Sequence, residues 1–286
     1  MALALAMWAF AAAQAEIYLE QEVPGDWAQR TLMRLIVVDT DRSDAMILQC
    51  GGEAMMVDGG EAFYYPFVAE ALDRWLEEPK LKYLYNTHCD SDHIGTLPRV
   101  MSSGAYEVGC YLSPYEETYN DSKGRHQQAM RAARYRGIPC KTVEDGDVLT
   151  LGSASLRVIR CMEPWGPNAR SAVLMVTFGE TRLLLAADLD YPAICHLMAK
   201  HGPEAFKADV LKTPHHGITT LPDDFREAVS PKLILVTNHE RRVEGYSEWM
   251  RICLPQTPLL YSGDGTLVLE TDGVDWYAWQ EENDNR

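Results

Sequence analysis

The chain has 286 residues, of which 47% are hydrophobic, enough for a core of ordinary size. Its formal net charge of -16 argues against non-specific adhesion to nucleic acid or anionic lipid, which needs a basic face. Seven scattered cysteines with no Cys-x-x-Cys pair argue against a zinc knuckle and a full disulfide framework.

Residues 1–15 form an apolar, Ala-rich stretch closing on Ala13-Gln14-Ala15, which fits a signal-peptidase site. Export to the cell envelope or medium is the expectation. The positively charged start of a signal is missing, so an N-terminal helix is the other reading. Seven thiols would be unusual in an oxidising compartment and favour the cytoplasm. The stretch is short for a membrane-spanning helix, and no integral membrane domain is expected.

From there, short aliphatic runs alternate with helical spacings. Residues 32–38, 45–49 and 54–58 read as a strand meander, bounded by Asp, Ser and Gly turns. Helical periodicity follows over 67–76, then a strand over 81–85. A short helix is predicted over 94–101. A longer one is predicted over 116–135, stopped by Gly137 and Pro139. A second strand-rich block takes in 155–160, 172–178 and 181–186, with Gly179-Glu180 as a tight hairpin. A helix over 192–201, a strand over 210–213, a helix over 222–228, a strand over 233–236 and closing strands between 259 and 279 complete the chain. The theme β-meander, α, β, α occurs twice. It predicts one α/β domain over 16–286, with two sheets face to face and helices outside.

The run His88-Cys-Asp90-Ser-Asp92-His93 carries the chemistry. Four metal-capable side chains fall within six residues, between an apolar strand and a helix. Alternate residues at a strand end point the same way, so His88 and Asp90 can share one centre. Asp92 and His93, at the turn into the helix, can face a second. Mixed imidazole and carboxylate ligands suit zinc, manganese or iron. The bland reading makes Asp92 a helix cap and the histidines surface residues.

These residues also carry a family resemblance. His88-x-Asp90-x-Asp92-His93-x-Gly95 resembles the signature of the metallo-β-lactamase superfamily, with Asp90 in place of the usual His. That variant is similar to the nuclease-like domain of ComEC-type competence proteins. Met56-Val-Asp58-Gly-Gly60, Asn168 with Ser171-Ala-Val-Leu174, Leu184-Leu-Ala-Ala-Asp188 and Leu211-Lys-Thr-Pro-His215-His216-Gly217 match further family motifs in order. Ala187 replaces the family's Gly. The family's "GQGDA" loop reads Asp41-Arg-Ser-Asp44-Ala, and its late "GHP" region is only echoed by Asn238-His239-Glu240. Phosphorylcholine esterases of this fold are similar too, in Asp188-Leu-Asp190 and the His-His-Gly turn.

The resemblance implies a four-layer αββα sandwich and two divalent ions, zinc first, manganese or iron as alternatives. His88 and Asp90 would hold one ion; Asp92, His93 and His216 the other. Asp188 would bridge them, with Asp190 as the lesser alternative. Asp92 and His215 are the expected catalytic residues, His215 easing the departure of the leaving group, although the two adjacent histidines could be exchanged. Asp58 and Asn168 would stand behind the ligands. Cys89 alternates away and is not counted. The implied activity is hydrolysis of a phosphodiester-type substrate, in a small molecule such as a choline phosphate or in nucleic acid, the latter not favoured by the net charge. Acyl esters, lactones or amides, a di-iron oxidoreductase and a non-catalytic metal-binding protein are the alternatives. Tyr64, Tyr65, Tyr115 and Trp165 are candidates for an aromatic lining.

Overall fold

A computed structural model describes residues 15–163 and 165–281; the signal-like residues 1–14 lie outside them. Seven strands come first: β1 (Ile17–Leu19), β2 (Met33–Val37), β3 (Met46–Cys50), β4 (Glu53–Val57), β5 (Lys80–Tyr85), β6 (Glu107–Ser113) and β7 (Cys140–Thr142). Seven more follow: β8 (Val148–Leu151), β9 (Ala154–Arg160), β10 (Ala172–Phe178), β11 (Thr181–Leu185), β12 (Val210–Lys212), β13 (Leu233–Val236) and β14 (Leu259–Tyr261). The strands β15 (Leu267–Thr271) and β16 (Trp276–Gln280) return to the first sheet, ordered β1-β16-β15-β2-β3-β4-β5-β6-β7. The second sheet is ordered β14-β13-β12-β11-β10-β9-β8.

Helices α1 (Tyr65–Trp75), α2 (Ser91–Ile94), α3 (Leu97–Ser103) and α4 (Arg125–Arg136) accompany the first sheet. Helices α5 (Tyr191–His201), α6 (Asp223–Val229) and α7 (Glu244–Cys253) accompany the second. One apolar cluster lies between the sheets and includes Leu35, Val37, Leu174, Leu183 and Leu185. Their strand neighbours Ile36 and Leu184 pack instead in the two outer clusters, under the helices. Side chains on a strand alternate between faces, so burial of both faces explains the unbroken aliphatic runs. The result is the expected four-layer αββα sandwich. Among the described residues, no helix is long and apolar enough to cross a membrane. All seven cysteines are free.

Two expected helices change. The helix over 94–101 is two pieces, α2 and α3. The helix over 116–135 starts only at Arg125, because Gly124 adopts a left-handed conformation (φ 65°) that interrupts a right-handed helix. The segment before it is a loop held by Asp121, which accepts the backbone N–H groups of Lys123, Arg125 and His126.

Parallel pairing fixes where the site falls. In the first sheet β4 and β5 run parallel; in the second, β11, β12 and β13 do. The loops leaving their carboxyl ends carry Asp58, the 88–93 run, Asp188 and the histidine pair. Ligand sites of α/β sheets gather at such ends.

Candidate metal centre

Asp188 follows β11 and is 2% exposed. Its Oδ1 lies 3.1 Å from His93 Nε2; its Oδ2 lies 3.5 Å from His216 Nε2, 3.7 Å from His215 Nε2 and 3.8 Å from His88 Nε2. Four imidazoles from two loops therefore converge on one carboxylate carried by a third. On one side, Asp90 Oδ2 stands 3.7 Å from His88 Nε2. On the other, Asp92 Oδ2 stands 3.3 Å from His216 Nε2, and the Nε2 atoms of His93 and His216 are 3.3 Å apart. Asp90 begins α2 but its side chain makes no capping bond, and Asp92 faces His216, so neither is merely a cap.

The ring orientations are held from behind. Asp58 accepts from His93 Nδ1 (2.7 Å), Thr87 N (2.8 Å), Thr87 Oγ1 (2.6 Å) and Asn86 Nδ2 (3.1 Å). His216 Nδ1 meets Thr237 Oγ1 at 3.0 Å and Asp44 Oδ1 at 3.2 Å. In the sequence, Asp44 reads as a turn residue before β3 rather than as part of the site. Asp44, His93, Asp188 and His216 are all buried, with potential ligand atoms within 4.8 Å of one another. Asp44 nonetheless approaches both rings from the Nδ1 side, 3.8 Å from that of His93, and is ion-paired with Lys212. We assign it to holding the rings rather than to the ion. The sequence signal for it is its place in the loop that stands for the family's "GQGDA" motif.

The residues fit a cation. With Nδ1 of each ring engaged by a carboxylate, neutral His93 and His216 would aim two Nε2 lone pairs at each other across 3.3 Å, which only a proton or a metal can reconcile. Among the described residues, His88 Nε2 is buried without a hydrogen-bond partner, a costly state for an isolated polar atom. Burial alone would raise the Asp188 pKa, yet His93 and His216 hold it well below the usual carboxylate value. Burial would likewise lower His216, but Asp188 and Asp44 outweigh it and raise that imidazole to about 10. His93 is raised for the same reason. Burial raises Asp92 less than His216 and His93 lower it, leaving it at about 2.

His215 differs from His216. It is 28% exposed and lies 3.4 Å from the amide of Asn168, with Thr219 Oγ1 3.4 Å from its Nδ1. Burial pushes its pKa down. The turn is sharper than Gly217 alone explains: His215 (φ 52°) and His216 (φ 53°) are themselves left-handed. Asp58 (φ 54°) and Ala187 (φ 47°) are as well. Each costs of order 1–3 kcal/mol and persists only where surroundings enforce it. Gly59 allows close approach here, since a Cβ on it would sit 2.1 Å from Thr96 Oγ1.

Asp190 caps α5, where its Oδ1 accepts from Ala193 N at 3.0 Å. His239 lies between Asp41 (2.5 Å) and Asp264 (2.9 Å). Of the aromatic candidates, Tyr115 is buried and stacked on Tyr119, whereas Trp165 packs on His196.

A family model described as the metallo-beta-lactamase superfamily matches residues 38–233, and the chain belongs to that superfamily. It is similar in structure to YhfI from Bacillus subtilis, a metallo-beta-lactamase fold protein, with a TM-score of 0.58 and 15% identity over 84% of this chain and 100% of the other. It is also similar to Igni18, a metallo hydrolase from Ignicoccus hospitalis, with a TM-score of 0.51 and 11% identity over 83% of this chain and 98% of the other. No curated protein matches the chain. Together the family and the buried cluster define a metallohydrolase fold with a candidate divalent-metal site.

Proposed function

We propose that the chain is a dinuclear metallohydrolase acting on a phosphodiester of a small molecule. His88 and Asp90 would hold one ion, and Asp92, His93 and His216 the other, with Asp188 between them. Divalent ions bound there supply Lewis acidity and bring the pKa of water towards neutrality. The observation that carries the reading is the paired approach of His93 and His216 across 3.3 Å beside Asp188.

The protein's own residues do the rest. Asp58 and Asp44 fix the ring orientations, which sets where the Nε2 lone pairs point. His215, half out of the cluster, is placed to exchange a proton or hydrogen bond with substrate through Nε2. The phosphodiester class is supported by the likeness of the Asp90 variant to ComEC-type nuclease-like domains and to phosphorylcholine esterases. The charge of -16 disfavours a nucleic-acid polymer. Export is inferred from Ala13-Gln14-Ala15 and is tested by the N-terminal sequence of the mature protein.

The test is hydrolysis of bis(p-nitrophenyl) phosphate beside p-nitrophenyl acetate, after chelation and after return of Zn, Mn or Fe. Metal-restored turnover of the diester is expected. Turnover of the acyl ester alone would move the reading to acyl substrates, and turnover of the diester unaffected by chelation would overturn it.

A further inference from the structure

Two arginines approach the His88 and Asp90 side of the centre: Arg125 directly, and Arg170 by way of Tyr119, which feels the charges of both Arg170 and Asp90. Arg125, the first residue of α4, lies 3.8 Å from Asp90 Oδ1 and 3.5 Å from the Cys89 carbonyl. Its position is fixed by Asp121, which accepts its backbone N–H. Arg170 ends a short 3-10 turn begun by Asn168, the residue whose amide meets His215. The next strand starts with Ala172, whose N–H donates to the carbonyl of Thr87, adjacent to His88. The backbone of Arg170 is thus two residues from contacts to both lobes of the site.

The Arg170 guanidinium lies over two rings, 5.7 Å from the centre of Tyr115 and 5.6 Å from that of Tyr119. Those rings stack at 4.3 Å, and both meet His126 edge-on. Stacking engages the face of a guanidinium and leaves its N–H edges directed outward, the geometry that grips an oxyanion with two bonds. Arg170 Nε is buried and has no hydrogen-bond partner among the described residues. The Nε of Arg160, a neighbouring residue 2% exposed, is in the same state. In a chain of net charge -16, this is a local concentration of cations set against a carboxylate-rich site.

We propose that Arg170, supported by Arg125, determines specificity by binding an anionic oxygen group of the substrate beside the metal centre. The tyrosines act as a rail that holds the guanidinium extended, so little side-chain freedom is lost when the anion binds. The inference rests on the metallohydrolase reading and narrows it: neutral acyl esters and lactones would gain nothing from this pair, whereas phosphoryl or carboxylate groups would.

The experiment measures binding of inorganic phosphate by calorimetry to metal-loaded wild type, Arg170→Ala, Arg170→Lys and Arg125→Ala, with metal content checked in each. Kinetics with bis(p-nitrophenyl) phosphate and p-nitrophenyl acetate accompany it. A hydrogen bond to a charged group is worth about 1.5–3 kcal/mol, so Arg170→Ala should weaken phosphate about tenfold or more and raise KM for the diester. Arg170→Lys should recover part of the loss, and KM for any acetate turnover should stay unchanged. Unchanged phosphate affinity at full metal loading overturns the proposal, as does an equal fall on both substrates. Should Arg170→Ala fail to fold, Arg170→Lys decides by the same comparison. Phosphate bound through Arg170 without any diester turnover would keep this proposal and remove the phosphodiesterase reading.

Discussion

The Lys212 ammonium and the Asp44 carboxylate form an ion pair that is wholly shielded from solvent. Lys212 ends β12 of one sheet, and Asp44 precedes β3 of the other, so the pair ties the two sheets at the mouth of the site. Lys212 also donates to the carbonyl of Ala187, the residue before Asp188. Replacing Lys212 by Met would strand a buried carboxylate beside His216. We expect a loss of about 3–5 kcal/mol, the usual cost of removing one partner of a buried pair. Denaturant unfolding of the metal-free variant checks it; a loss under about 1 kcal/mol would mean that Asp44 is not held by charge.

Ala187 stands where related sequences place glycine, and its φ of 47° is left-handed. An L side chain there costs about 1–2 kcal/mol relative to glycine, partly offset by the entropy glycine adds to the unfolded chain. Ala187→Gly should therefore stabilise the protein by about 0.5–1 kcal/mol. Thermal unfolding would show it as a small rise in Tm; a fall would point to an unrecognised contact of the methyl group.

Asp58 accepts four hydrogen bonds, one from His93. Asp58→Asn keeps the shape but exchanges a charged acceptor for a neutral one. Partners behind metal ligands typically contribute 10–100-fold in affinity, and a loss of about that size is expected here. Competition with a chromophoric chelator measures it, and equal affinities in the two proteins would remove Asp58 from the site.

Stability should depend on pH in opposite ways with and without metal. In the metal-free protein, His93 and His216 are raised above the usual imidazole value of 6.5. Their contribution is fully present below that pH and is lost as pH rises towards about 10. Asp188 and Asp92 are lowered, so theirs is present above the usual carboxylate value of 3.8 and is lost as pH falls, for Asp92 towards about 2. Chelated protein should thus lose Tm steadily from pH 6.5 to 9.5. Metal replaces those protons, so loaded protein should gain stability relative to chelated protein over the same range. Parallel Tm profiles would show that the two imidazoles do not share a cation.

Local patterning made much of the fold readable. The aliphatic runs of β2, β10 and β11 and the four ligand types between His88 and His93 identify themselves within a few residues. Asp44 does not, because its place depends on Lys212 and His216, which lie far along the chain. The left-handed conformation of both adjacent histidines was equally hidden: histidine tolerates positive φ better than most residues, but nothing nearby in the sequence marks two in a row. The loop over 116–124 resembles a helix until Gly124 and the Tyr115–Tyr119 stack are taken into account. Asp41, in the loop that departs from the family's "GQGDA" motif, and His239, in the segment that only echoes its "GHP" motif, touch each other at 2.5 Å. Two departures that look independent in sequence are one contact in space.

Metal content per chain, measured by elemental analysis on wild type and Asp188→Ala, tests the central claim most directly. Close to two divalent ions in wild type, with marked loss in the variant, is the expected result. No bound metal in wild type purified without chelator and offered Zn, Mn or Fe would contradict the account.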